Sequence, residues 1–196
     1  MNNILLASNS PRRREILTQL GYTVSVQAAE IDETPYPNET AHDYVLRMAI
    51  EKNQAAQQQF PPQNLPLMSA DTTVALHNLI LGKPESPQHA HQMLRQLSGS
   101  THQVLTAVCV SLAGQMRHVV QENHVVFRDL SDDEITRYIA TGEPLDKAGA
   151  YGIQGVGGVF VAHLSGSFTG VMGLPVCETM ALLQQLGWQT PPFQAA

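Results

Sequence analysis

The chain has 196 residues, with 11 Lys and Arg against 17 Asp and Glu, a formal net charge of −6 and an apolar content of 43%. That length suits a single domain able to bury a sizeable core. The acidic balance argues against general binding to nucleic acid or an anionic membrane, which favours a basic surface, and it makes the position of each Arg and Lys informative.

The chain opens on a short apolar run, Ile4 to Ala7, that suits a buried strand, broken by Ser8-Asn9-Ser10-Pro11. Ser10 suits an N-cap and Pro11 the first helical position, where a missing N–H is harmless. Ile16, Leu17 and Leu20 give the helix its apolar stripe and Gly21 stops it. A strand that feeds a helix N-terminus through hydroxyl residues, with arginines in the first turn, is a physical recipe for holding an anion. An ordinary βα turn with solvated arginines reads the same way. Tyr22 to Val26 alternates like a strand. Ala28 to Glu39 is a loop carrying Glu30, Asp32, Glu33 and Glu39. Thr40 caps a helix over 41–59, with Tyr44, Val45, Met48 and Ala49 as its inner face, and Pro61-Pro62 ends it. The Gln-rich stretch Gln54 to Gln63 reads as a solvated helix end.

Leu67 to Leu76 and Leu79 to Leu81 read as a strand pair about a turn at His77-Asn78. Pro87 opens a helix with Ala90, Met93, Leu94 and Leu97 inward, closed by Ser98-Gly99-Ser100. His102 to Leu112 and His118 to Arg128 are two long strands about Ala113-Gly114, a hairpin signal. Ser131 to Glu134 is a capping box that starts a short helix ending by Gly142. An irregular stretch, Asp146 to Gly158, precedes a strand over 159–164, and a last helix runs from about Val176 to Leu186. The two hairpins require antiparallel pairs among alternating strands and helices, so the sheet is expected to be mixed. Cys109 and Cys177 lie far apart with no CxxC spacing, which reads as two buried free thiols. The start of the chain lacks a basic n-region and a long apolar run, so a soluble cytoplasmic protein is expected.

Successive helix residues point about 100° apart, so three adjacent arginines cannot face one ligand. Arg12 shares a face with Ile16, Arg13 with Leu17 and Leu20, and both lie toward the packed side; Arg14 reads as a surface charge. Lys52 extends the Val45, Met48, Ala49 stripe, either as a snorkelling lysine or as a ligand-holding one. Lys83 sits in a Gly82-Lys83-Pro84 frame that aims a side chain. Asp71 interrupts a strand of apolar and small residues. An ionised carboxylate there requires a metal, a cation or several N–H donors. It could bond a local hydroxyl, bind a metal or activate water. Glu33 is either a solvated loop acid or a second metal ligand. Gln154, in a Gly-rich stretch, offers a donor and an acceptor suited to a base edge, and fits an unremarkable loop equally well. The eight histidines lack HExxH spacing and GxSxG is absent. Cations, hydroxyls and two acids remain, a set suited to a phosphate ester attacked by water with Mg²⁺ or Mn²⁺ help.

Leu6-Ala7-Ser8-Asn9-Ser10-Pro11-Arg12-Arg13 resembles the Ser-x-Ser-Pro-Arg-Arg signature of the Maf family of nucleoside triphosphate pyrophosphatases. Ile31-Asp32-Glu33, Glu51-Lys52, Ala70-Asp71-Thr72, Gly82-Lys83-Pro84, Ser98-Gly99, Lys147 to Gly155 and Gly173-Leu174-Pro175 stand in that family's order. The resemblance implies one Maf/ITPase-like domain over residues 1–196, with two lobes about a central nucleotide cleft and an elongated mixed β-sheet flanked by helices. It implies hydrolysis of a nucleoside triphosphate to the monophosphate and pyrophosphate with a divalent metal, Mg²⁺ or Mn²⁺, by a homodimer. By motif, Asp71 resembles the general base; Ser8, Arg12, Arg13, Lys52 and Lys83 resemble the phosphate-holding groups; Glu33 and Asp71 stand as metal partners. Arg12, Thr72 and Gln154 fall at positions tied to base choice, in forms similar to the dTTP/UTP subgroup. The 7-methyl-GTP subgroup instead carries Trp after the Ser-Pro, Gln after the Asp and Ser-Glu-Gly near the third site. Asn9 departs from a frequent Gly, but Asn tolerates left-handed geometry. Alternatives on the same scaffold are a 7-methyl-GTP pyrophosphatase and a non-catalytic, nucleotide-dependent regulator of septum formation.

Overall fold

The computed structural model describes residues 2–61, 64–77 and 79–188. Pro62, Gln63 and Asn78, expected at a helix stop and a turn, lie outside the described residues. The elements run β1 (Asn3–Leu6), α1 (Pro11–Gln19), β2 (Thr23–Val26), α2 (Ala41–Gln59), β3 (Leu67–Leu76), β4 (Leu79–Leu81) and α3 (Pro87–Leu97). They continue with β5 (Thr101–Leu112), β6 (Gln115–Phe127), α4 (Asp132–Ala140), β7 (Val161–Ser165), α5 (Phe168–Met172) and α6 (Val176–Gln185). Helices flank a seven-stranded sheet in the order β2-β1-β3-β5-β6-β7, with β4 paired to β3. β1 pairs in parallel with β2 and β3, whereas β3/β4 and β6/β7 are antiparallel, so the sheet is mixed as expected. Between β5 and β6, Ala113 and Gly114 both take positive φ, 49° and 78°. A two-residue hairpin turn of the primed kind requires that.

The chain forms two compact units, and the division falls inside β3, β5 and β6. One unit takes the chain up to Asp71, Thr106–Gln121 and the chain from Gly173 onward; the other takes Thr72–Leu105 and Glu122–Met172. In the first, Leu5, Ala7, Ala56 and Leu67 pack together beneath Ala29, Phe60 and Leu65. In the second, α3 turns Ala90, Met93, Leu94 and Leu97 inward, as its period predicts, onto a core containing Phe127, Tyr138, Tyr151 and Phe160. These rings meet edge to face at centroid distances such as 4.7 Å for Phe127 with Tyr151 and 4.9 Å for Tyr138 with Phe160. Each such pair contributes about 0.5–1.5 kcal/mol beyond its buried area.

Three local expectations need correction. Ser10 stands at the N-cap of α1, but its side chain makes no capping bond; its backbone N–H instead donates to Ser8 Oγ at 3.3 Å. β7 begins at Val161, because Val156–Phe160 coil into a 3₁₀ turn first. Cys109 is buried, its thiol pushed up to about 12 by burial, but Cys177 is exposed. It lies off the face of α6 that buries Thr179, Leu182 and Leu183.

Candidate active site

The first unit builds its site where β1 ends beside the first residues of β3. Their parallel register sets Leu6 against Met68, and Ala7 N–H donates to the Met68 carbonyl at 2.7 Å. Two residues further along each strand lie Ser8 and Ala70, with Asp71 next. Ser8 Oγ is buried and accepts from Arg13 Nη1 at 2.8 Å, while Arg13 Nε donates to the Gly173 carbonyl at 2.8 Å. Arg13 therefore braces the strand-to-helix turn as well as bringing charge to it. Burial lowers its pKa, Asp71 and Glu33 raise it and Arg12 lowers it, which places those three charges within electrostatic reach of its guanidinium. Arg12 is half-buried and Arg14 exposed, as helical rotation requires.

The acids come from β3 and from the loop before α2. Ser69 Oγ donates to the Ala49 carbonyl of α2 at 2.6 Å. Asp71, two residues on, shares that face of the strand, and Lys52, three residues beyond Ala49, shares that face of the helix. They meet: Lys52 Nζ donates to Asp71 Oδ1 at 2.7 Å and lies 2.7 Å from Glu33 Oε1. Lys52 and Asp71 are mostly buried, with side chains 15% and 13% exposed, while the Glu33 side chain is 53% exposed. The tip of Lys52 is thus held by two acids and its stem lies along the inner face of the helix. The helix is anchored by its next residue. The fully buried Asn53 amide donates to the carbonyls of Leu67 (3.0 Å) and Cys109 (3.3 Å) and accepts from Ser111 Oγ at 2.8 Å.

Sequence reasoning missed the brace on the acidic loop. Arg47 forks both oxygens of Glu39 at 2.7 Å, donates to the Thr34 carbonyl at 3.1 Å and stacks 3.8 Å from the centre of the Tyr36 ring. Tyr44 OH donates to the Glu33 carbonyl at 2.9 Å. Burial first, then the nearby Asp71 and Glu33 charges, push the Tyr44 phenol up, so it remains a donor. The one signal available was the Arg47–Glu51 spacing of four residues, which forms an ion pair at 3.4 Å.

Ser8, Arg12, Arg13, Glu33, Lys52 and Asp71 are thus brought together in one unit. Thr72, Lys83 and Gln154 belong to the other. There Thr72 is half-buried, and Lys83 and Gln154 are exposed. The Lys83 frame is tied down by Gly149 N–H, which donates to the Gly82 carbonyl at 3.1 Å. Among the described residues no group of three or more His, Cys, Asp or Glu could hold a metal ion. The two carboxylates that converge on Lys52 are hard oxygen donors. They fit an ion of the Mg²⁺ kind, which takes one or two carboxylates and fills its remaining positions with water and phosphate oxygens.

In a mixed α/β fold, β1 and β3 thus bring a hydroxyl and an acid, and α1 and α2 bring arginines and an acid-paired lysine, to one place in the first unit. The chain belongs to the Maf family: residues 3–186 match the family described as Maf-like protein. The dTTP/UTP pyrophosphatase of Pasteurella multocida is 61% identical over 93% of this chain and 94% of that protein. That of Neisseria meningitidis serogroup A is 52% identical over 98% of each. A dTTP/UTP pyrophosphatase of Escherichia coli is 50% identical over 93% of this chain and 92% of that one. The solved structure of the Staphylococcus aureus Ham1 protein is 18% identical, with a TM-score of 0.44 over 66% of this chain and 72% of that one. Among the described residues no helix is long and apolar enough to cross a membrane.

Proposed function

We propose that this chain hydrolyses nucleoside triphosphates, dTTP and UTP foremost, to the monophosphate and pyrophosphate. The observation that carries the reading is the Lys52 ammonium at 2.7 Å from both Asp71 and Glu33, within the same unit as Ser8, Arg12 and Arg13. The substrate choice rests on the names of the relatives and on Arg12, Thr72 and Gln154 at the base-choice positions.

The triphosphate carries roughly four negative charges, and fixed cations and N–H dipoles stabilise charge that moves onto the leaving group. Ser8 in the turn before α1 and Arg12 and Arg13 in its first turn, together with Lys52 and Lys83, hold the phosphates in this reading. An ammonium has three donors; Lys52 gives two to carboxylates and keeps one for a phosphate oxygen. Asp71 takes a proton from water as the water oxygen bonds to phosphorus, and the α–β anhydride bond breaks with its electrons leaving on pyrophosphate. Glu33 and Asp71 would hold the Mg²⁺ or Mn²⁺, which supplies neutralisation of phosphate charge.

The test is turnover of dTTP, UTP, CTP and 7-methyl-GTP with either metal, reading pyrophosphate against orthophosphate, for the wild type and Asp71→Asn. Pyrophosphate from dTTP and UTP, with a loss of about 10²–10⁴-fold in kcat in the variant, is expected. Release of orthophosphate, or near-normal turnover by the variant, overturns the mechanism. A preference for 7-methyl-GTP overturns the substrate choice.

A further inference from the structure

We propose that Glu143 is a positioning residue that holds the Gln154 loop in shape, and that base discrimination depends on it. The inference rests on the reading of Gln154 as a base-contacting residue and adds the device that fixes it. Glu143 opens a 3₁₀ turn (Glu143–Asp146) just after α4. Its carboxylate reaches across to a loop more than ten residues away. Oε2 accepts from Val156 N–H at 2.9 Å, and Oε1 accepts from Gly157 N–H at 3.0 Å and from Tyr138 OH at 2.8 Å. The same phenol oxygen accepts from Gly152 N–H at 3.2 Å. Both ends of the 152–157 segment are therefore tied to one carboxylate–phenol pair.

Between those ties the segment closes on itself, Gly155 N–H donating to the Gly152 carbonyl at 3.2 Å and Gly158 N–H to the Gly155 carbonyl at 3.1 Å. Gln154 stands on this loop, exposed, with no hydrogen bond of its own among the described residues. The glycines are dictated by how close the latch lies. A Cβ at Gly155 would overlap the Glu143 carboxylate, and one at Gly157 would lie 2.6 Å from Tyr138 OH. No larger residue fits either place without displacing the latch.

The latch also requires a charge. Burial pushes the Glu143 carboxyl up, but the Gly157 and Val156 N–H groups, the Tyr138 hydroxyl and the Lys147 ammonium together hold it below its ordinary range. An ionised carboxylate only accepts, and three donors converge on it. A glutamine would turn an NH₂ group against at least one of them. A flexible Gln154 loop would still meet a base, but it would lose the fixed donor–acceptor order that tells one base edge from another.

The experiment measures kcat and KM for dTTP, UTP and CTP, with amide hydrogen exchange at Gly152, Val156 and Gly157, in the wild type, Glu143→Gln, Tyr138→Phe and Gln154→Ala. Glu143→Gln is expected to speed exchange at Val156 and Gly157 and to raise KM for dTTP and UTP. It should lower their preference over CTP about tenfold, the scale of one charge-assisted hydrogen bond, with kcat nearly unchanged. Tyr138→Phe, which loses only a hydroxyl, should do the same to a smaller extent and stands in if Glu143→Gln does not fold. Gln154→Ala should lose the preference without faster exchange at Val156 and Gly157. If Gln154→Ala keeps its preference while Glu143→Gln loses it, the base-contact reading fails and the latch stands. Faster exchange with an unchanged preference, an equal loss of kcat on every nucleotide, or no preference in the wild type overturns the proposal.

Discussion

Lowering the pH should weaken this fold through His102. The imidazole is 1% exposed, edge-on to Phe127 at 4.9 Å and to Tyr151 at 5.5 Å. Its Nε2 lies 2.9 Å from Tyr151 OH, and Nδ1 has no hydrogen-bond partner among the described residues. Burial with no acid alongside penalises the imidazolium, and the pKa is pushed down from 6.5 to about 4. Between those two values the unfolded chain binds a proton that the folded chain refuses, so stability falls as pH falls through the window and levels off below it. At about 1.4 kcal/mol per pH unit for one proton, the loss across the window is about 3 kcal/mol. Urea unfolding of the wild type and His102→Gln from neutral pH down to about pH 4, with NMR titration of the His102 ring protons, measures both quantities. The wild-type stability curve should be steeper than the variant's by one proton, and the ring should titrate well below the ordinary histidine range. Parallel curves, or a ring that titrates near 6.5, would refute the reasoning.

Two further outcomes follow from ion pairs away from His102. Arg47→Ala should loosen the acidic loop, raising amide exchange at Tyr36, whose N–H donates to Glu39 Oε2 at 2.9 Å, by about tenfold. Arg47→Lys should recover only part of this, because an ammonium cannot fork a carboxylate; full recovery, or no change in the alanine variant, would remove Arg47 as the brace. Glu134 is drawn down to about 2, by Arg128 foremost and then by the Ser131 backbone and side chain. Its contribution to stability is complete above the ordinary glutamate range and is lost as pH falls toward about 2. The difference in urea midpoint between the wild type and Glu134→Gln should therefore shrink on acidification, and a constant difference would contradict it.

What could be read from the chain alone was local chemistry. The bounds of α2 follow from Thr40, whose side chain accepts from Asp43 N–H, and the start of α4 from a Ser131–Glu134 capping box that forms in full. The inner face of α3 follows from its period. Interactions at a distance could not be read. Helix α5 is five residues long with Gly170 inside it, and it is held by a Ser167 that bonds Gly170 N–H and is itself bonded to Asn123, 44 residues away. Nothing local predicts such a helix. Asn53, which no local pattern singles out, is fully buried on α2, where the Leu67 and Cys109 carbonyls and Ser111 Oγ on β3 and β5 satisfy its amide. The same limit applied at the site. Asp71 was legible as an acid needing a partner and Lys52 as a cation on an apolar stripe, but their pairing across 19 residues depends on the packing of α2 against β3.

That packing also explains how an acidic chain can hold scarce cations close together. Like charges repel, and an unliganded cluster of cations would tend to splay into solvent. Here Lys52 rests on Asp71 and Glu33, and Arg13 on Ser8 and the Gly173 carbonyl, so each is oriented before any anion arrives. In the proposed reaction, binding a triphosphate would exchange or add partners around groups already in place and require little ordering of side chains. A neutral lysine analogue in place of Lys52 would leave two carboxylates facing each other, and an alanine in place of Arg13 would unpin the turn from Gly173. The positive groups and the acids are therefore one unit of design: the acid that the proposed chemistry needs is also what keeps the cation that the phosphates need from turning away.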